Sequence, residues 1–189
     1  MKEPTRKYCF ETYGPFELPF KKNGTIASDR LTQFWAMVEH EHSGLPEALG
    51  CYIFGVRVGP SARPWYVGKT EKKSFKFEVV QPHKLLYYQD ALEQQPNGVP
   101  LLYMLPRLTD GGKFRKVWSA GSTSVGRLEG MLIATALSRN PRLLNKRSTK
   151  HLTQTVVPGY MNEPSGPRSP GAENLAALLG VSNTEVEVK

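Results

Sequence analysis

The stretch GCYIFGVRVGPSARPWYVGKT, Gly50 to Thr70, decides the fold. Tyr52, Phe54, Val56 and Val58 alternate onto one face of a strand, while Cys51, Ile53, Gly55 and Arg57 take the other. GPSARP then supplies a glycine and two prolines, which predicts the turn of a hairpin. The returning strand, PWYVGKT, is expected to end at Gly68. In such an antiparallel pair Tyr52 and Tyr66 project to the same side near one end of the sheet. Gly68 permits the close approach of another group to the backbone, or an unusual dihedral.

Upstream of the hairpin, residues 1–44 read as an arm and a helix packed on the domain. Pro15 and Pro19 prevent a helix in YCFETYGPFELPF, so this segment is expected to be an edge strand or a docked arm. Leu31, Phe34, Trp35 and Val38 recur at helical spacing behind a cap at Ser28 or Asp29. At the polar end of that helix, His40 and His42 sit beside Glu39 and Glu41 and read as a solvated terminus. Downstream, Pro82 divides SFKFEVVQPHKLLYYQDALEQQ into two short helices. Asn97-Gly98 turns the chain into VPLLYMLPRLT, a third, central strand, and KFRKVWSAG suggests another short one. Ser124 is the expected cap of the helix VGRLEGMLIATALSRN, which Asn140-Pro141 ends. The expected fold is α/β of the α+β type: a small, mainly antiparallel, three-stranded sheet flanked by helices. Residues 45–152 would form the domain proper. Residues 153–189 would form a proline-rich linker and the small helix AENLAALLG.

The chain has 189 residues with 22% charged and 39% apolar side chains, the profile of one globular domain rather than of a disordered chain. No stretch approaches the about 18 apolar residues of a membrane span. MKEPTRKYCF lacks the apolar run of a secretory signal, so a cytoplasmic location is expected. Cys9 and Cys51 have no metal-ligand spacing and read as small buried thiols. A formal charge of +8 finds its natural explanation in a polyanionic partner.

Several polar residues stand where a core pattern would not place them. Glu129 has Leu132, Ile133 and Ala136 at i+3, i+4 and i+7, so its carboxylate must reach the surface or be compensated. A divalent cation, Mg2+ or Mn2+, would compensate it; so would a salt bridge to a lysine or arginine. Asn145 lies among Arg139, Arg142, Lys146, Arg147 and Lys150, cations suited to a phosphate backbone. Its amide either orients a phosphate or another site residue, or caps a turn. Tyr52 and Tyr66 are either core aromatics or paired phenols of a site. Forming a phenolate at neutral pH costs about 4 kcal/mol, and Lys69, directly after the second tyrosine segment, is placed to lower that cost.

Taken in order, Gly50-Cys51-Tyr52, Tyr66-Val67-Gly68 with Lys69, Glu129 and Asn145 resemble the elements of a GIY-YIG nuclease domain over about Leu49 to Lys150. The resemblance implies a metal-dependent endonuclease acting on DNA phosphodiesters, most naturally duplex DNA. Tyr52 and Tyr66 would position or deprotonate the attacking water, Glu129 would hold the metal, and Asn145 would assist positioning. The family carries an arginine on the helix after the second triplet, with a His or Tyr one turn later. No arginine lies between Arg63 and Arg107, so Lys76, His83 or Lys84 would replace it. Lys84 with Tyr88 reproduces the i, i+4 geometry. A lysine lacks the bidentate fork of arginine. The alternative is therefore a catalytically inactive nucleic-acid-binding module of the same fold. Either would be a monomer or a homodimer; a monomer with one site nicks a duplex.

Overall fold

The hydrophobic pattern of the hairpin becomes the middle of a two-sided domain. In the computed structural model, which describes residues 8–21, 24–116, 123–145 and 169–178, the chain divides into two units, Met1–Lys146 and Arg147–Lys189. The first unit contains β1 (Tyr13–Glu17), α1 (Ser28–Glu41), β2 (Gly50–Val58), β3 (Ser61–Thr70), α2 (Phe75–Glu78), α3 (Pro82–Glu93), β4 (Val99–Pro106) and α4 (Thr123–Arg139). The second unit contributes α5 (Pro170–Leu178).

The fold is α+β, with one antiparallel sheet in the order β1-β4-β2-β3. It has four strands rather than the expected three. The proline-containing arm supplies the fourth: β1 pairs with β4 through Phe16 and Leu102 and occupies an edge, where a strand tolerates proline. VPLLYMLP is central, as its apolar run implies.

β2 is buried on both faces. Tyr52, Phe54 and Val56 join Phe34, Trp35 and Val38 of α1, Phe75 of α2 and Tyr88 of α3 in the main core. On the opposite face Cys51 packs with Leu49 and with Val125 of α4 in a smaller cluster. Leu31, the fourth residue of the α1 stripe, is partly buried against the main core. The sheet is thus sandwiched, with α4 lying mainly along β3.

The hairpin is tighter than GPSARP suggests. Val58 pairs with Ser61, so only Gly59 and Pro60 form the turn, and Gly59 adopts φ 58°. Ser61, Ala62 and Arg63 already belong to β3, which continues to Thr70 rather than stopping at Gly68. Phe54 pairs with Tyr66 but Gly55 with Pro64, leaving Trp65 as the extra residue of a bulge.

Other local expectations are corrected. Helix α1 starts at Ser28 with Ala27 before it and no side-chain cap. Ala27 is buried, its N–H donating to Pro19 O and its carbonyl accepting from Arg30 N, so backbone bonds replace the cap. Ser124 lies inside α4, which already includes Thr123. Cys9 is exposed, whereas Cys51 is buried as expected. The KFRKVWSAG segment makes isolated bridges, Leu108 to Phe114 and Ala48 to Lys116, in place of a strand, and its residues 117–121 lie outside the described residues. His42 packs edge-on against Tyr13 at 4.7 Å and Phe16 at 6.0 Å, so it is not simply a solvated helix end. Among the described residues no helix is long and apolar enough to cross a membrane.

The central position of β4 sets a stability test. Leu102→Ala, at a side chain with 0% exposure, should cost about 3 kcal/mol in chemical denaturation. Met131→Ala, at 68% exposure on α4, should leave the midpoint unchanged.

Candidate active site

Gly68 stands directly opposite Tyr52 in the β2–β3 ladder. A Cβ at Gly68 would overlap the ring and hydroxyl of Tyr52, so the phenol lies across the glycine backbone. This is the close approach anticipated for Gly68, made by a neighbouring side chain. Tyr66 sits diagonal to Tyr52, with ring centroids 6.2 Å apart.

Helix α3 closes over this pair. Its positions 84, 87 and 88 share one face. Tyr88 stacks on Phe54 at 4.1 Å and meets Tyr66 edge-on at 6.2 Å. Tyr87 stacks on Tyr66 at 5.2 Å. Lys84 Nζ donates a hydrogen bond to the Tyr66 hydroxyl and lies 4.8 Å from its ring centroid. Glu78 of α2 is 3.9 Å from the same ammonium. Of the three candidates for the arginine position, Lys84 meets the phenols, whereas Lys76 and His83 are exposed. Tyr52, Tyr66, Lys84 and Tyr88 therefore form one cluster drawn from β2, β3 and α3.

Lys69 belongs to a second group. It pairs with Cys51 in the ladder, one position beyond Gly68, and so faces the α4 side of the sheet. Its Nζ is 3.4 Å from Glu129 Oε2 and 3.6 Å from Glu71 Oε2. Gly126, one turn before Glu129, leaves room for this ammonium, since a Cβ there would sit 3.2 Å from Lys69 Nζ. The salt-bridge alternative for Glu129 is thus realised. The expectation that Lys69 serves the phenols is corrected: strand alternation turns it to the other face. Both partners are partly exposed, so the pair contributes at most about 1 kcal/mol.

Asn145 has a structural task. Its Oδ1 accepts from Val67 N at 2.9 Å and its Nδ2 donates to Val67 O at 2.6 Å. The amide grips the middle of the Tyr66-Val67-Gly68 segment rather than capping a turn. Leu144 N bonds Trp65 O, and Asn140 Nδ2 bonds Pro64 O. The chain after α4 therefore fills in for the strand that β3, an edge strand, lacks. Arg139 and Arg142 are exposed; Lys146 and Arg147 lie outside the described residues.

Burial dominates the electrostatics of the phenols. Tyr52 and Tyr88 are fully buried, and neither hydroxyl makes a hydrogen bond of ordinary geometry among the described residues. Burial pushes both well above the usual tyrosine range; Tyr66 and Glu78 add to the rise at each, while the contact between the two hydroxyls raises Tyr52 and lowers Tyr88. Tyr66 is raised by burial first, then by Glu129, Tyr87 and Glu78. Burial lowers the Lys84 ammonium, with Glu78 and Glu129 opposing the shift. At Lys69 burial also acts downward, but Glu129 and Glu71 outweigh it and the net shift is upward. The Cys51 thiol is pushed up to about 12 by burial and by Glu129, against Lys69. Glu129 is therefore felt on both sides of the sheet, at Tyr66 and Lys84 as well as at Lys69 and Cys51.

Sequence reasoning missed Glu71, Glu78, Gly126 and the bond from Asn140 to Pro64. No spacing rule links them to the tyrosines, because the sheet edge brings them together. Among the described residues no three His, Cys, Asp or Glu side chains group as a ready-made metal site. Compared with known proteins, the chain matches no family model, no curated protein and no solved structure.

Two outcomes check this geometry. Gly68→Ala should destabilise the domain by about 1–3 kcal/mol through overpacking on Tyr52. Asn145→Ala should cost about 2 kcal/mol, because it strands the N–H and carbonyl of Val67; thermal and urea melts read both. The raised tyrosines favour the fold below their unfolded pKa of 10.0, and that contribution is lost as pH climbs above it. The depressed Lys84 acts in the opposite sense, its cost being relieved as pH rises toward 10.5. With three phenols against one lysine, the domain should unfold from about pH 10 upward. Tyr52→Phe and Tyr88→Phe should each delay the transition, followed by phenolate absorbance and circular dichroism.

Proposed function

We propose that this domain is a metal-dependent endonuclease of the GIY-YIG type that hydrolyses phosphodiester bonds in double-stranded DNA. The observation that carries the reading is the convergence of Tyr52, Tyr66, Lys84 and Tyr88 into one cluster within the electrostatic reach of Glu129. These residues come from segments far apart in the sequence. A core made only for packing has no use for three phenols and an ammonium together.

Chemically, the Tyr66 oxygen already accepts from Lys84, so its own proton is left for an outside acceptor such as a phosphate oxygen. Lys84 also supplies positive charge where negative charge develops during phosphoryl displacement. Glu129 offers a single carboxylate, 22% exposed. That donor suits Mg2+ or Mn2+, which keep several waters and take a phosphate oxygen. Held by Glu129, such an ion would polarise the scissile phosphate and stabilise the leaving oxygen. With its charge offset, Glu129 would raise the Tyr66 phenol less, so that the phenol would release its proton more readily to a phosphate oxygen. Tyr52 supports Tyr66 from the fully buried side. Lys69 must leave Glu129 for the ion to bind. Arg139 and Arg142 would track the phosphate backbone, and a single site predicts nicking by a monomer.

Two observations favour a second reading, a catalytically inactive nucleic-acid-binding module. Lys69 already neutralises Glu129, and the Tyr52 hydroxyl has no access to solvent.

Supercoiled plasmid incubated with Mg2+ or Mn2+ separates the two. The endonuclease reading expects metal-dependent nicking, lowered at least a hundredfold in Glu129→Ala and Tyr66→Phe. Tyr52→Phe keeps the ring over Gly68, so the variant should stay folded while cleavage falls. A native protein that retards plasmid in both metals without cutting it would replace the first reading with the second.

A further inference from the structure

Helix α2 carries an exposed aromatic on a rigid mount. Phe75 is fully buried, and the N–H groups of Phe75 and Lys76 bond Ala48 O and Pro46 O at 3.2 and 3.0 Å. The Thr70 hydroxyl bonds Lys73 O and closes the preceding turn. Two residues beyond the buried anchor, Phe77 is 61% exposed. Lys72, Lys73 and Lys76, close to it in sequence, are exposed as well, and none forms an ion pair among the described residues. The next residue, Glu78, touches Lys84, which holds Tyr66. An exposed aromatic ring on an anchored helix, with exposed lysines nearby in sequence, complements a nucleic acid, which offers base faces between phosphates.

We infer that Phe77, flanked by Lys72, Lys73 and Lys76, is a base-stacking element that takes an unpaired or unstacked base of the nucleic acid beside the phenol cluster. The inference rests on the nucleic-acid reading of the site but not on cleavage. The lysines contact phosphates and supply salt-dependent affinity without sequence preference. Phe77 supplies a stacking contact indifferent to salt. Such an element directs the domain toward a bulge, a junction or a distorted step.

The test is binding in EDTA, where no cutting occurs. The probe is a labelled duplex with one unpaired 2-aminopurine, compared with its fully paired counterpart. Phe77→Ala should weaken binding to the bulged probe about tenfold and abolish the change in 2-aminopurine emission, with the salt slope unchanged. Phe77→Tyr should retain both signals. Replacing Lys72, Lys73 and Lys76 by Ala should flatten the salt slope by about 2 to 3 on both probes. Circular dichroism should show all variants folded, because the altered side chains are exposed. Equal binding of bulged probe by native and Phe77→Ala proteins, with equal emission, would overturn the inference, and points to a ring kept for a protein partner. Absence of DNA binding by the native protein overturns this inference and the nuclease reading together. Base stacking at Phe77 without metal-dependent cutting overturns the nuclease reading alone.

Discussion

The position of the Tyr52 ring over the backbone of Gly68 is the constraint on which the rest of the site depends. It requires a residue without a Cβ opposite Tyr52, and it thereby pins the register of the β2–β3 ladder. From that register the diagonal placement of Tyr66 follows. So does the turning of Lys69 to the opposite face. A slip of one residue would exchange the faces of every side chain on β3.

The edge position of β3 explains how two faces of one sheet can act together. A central strand would separate its two sides completely. At an edge, α4 carries Glu129 close enough for its charge to be felt at Tyr66 and Lys84 while it pairs with Lys69. The same edge would expose unpaired backbone groups to other chains. Leu144, Asn145 and Asn140 satisfy part of it, so Asn145 acts by holding the Tyr66-Val67-Gly68 backbone in place. A positioning role of this kind is compatible with either functional reading, since both need the strand held.

The tyrosine cluster combines costs that packing alone does not call for. Burying the Tyr52 and Tyr88 hydroxyls without a hydrogen bond of ordinary geometry among the described residues, and an ammonium at Lys84, each works against stability. Phenylalanine and leucine would fill the same space without that cost. Groups held against their solvation preferences are candidates for a functional site.

How much of this was legible depended on whether the signal was local. Strand alternation marked β2, the i, i+4 rule aligned Lys84 with Tyr88, and Pro82 marked the start of α3, because each is set by neighbours in the chain. Gly68 was singled out because only glycine tolerates such close approach. The arm was legible as an edge strand or a docked arm because of its prolines, but its pairing with β4, the bulge at Trp65 and the commitment of Asn145 to Val67 were not, since each requires a partner distant in sequence. Lys69 is the clearest case. Its place after the second tyrosine segment suggested service to the phenols, yet alternation about Gly68 sends it to Glu129 and Glu71. The sequence by itself determined which residues could carry charge or a proton and where the main hairpin and helices would lie. Tertiary structure alone decided which of them meet, because meeting is set by register and by the edge around which the two faces are joined.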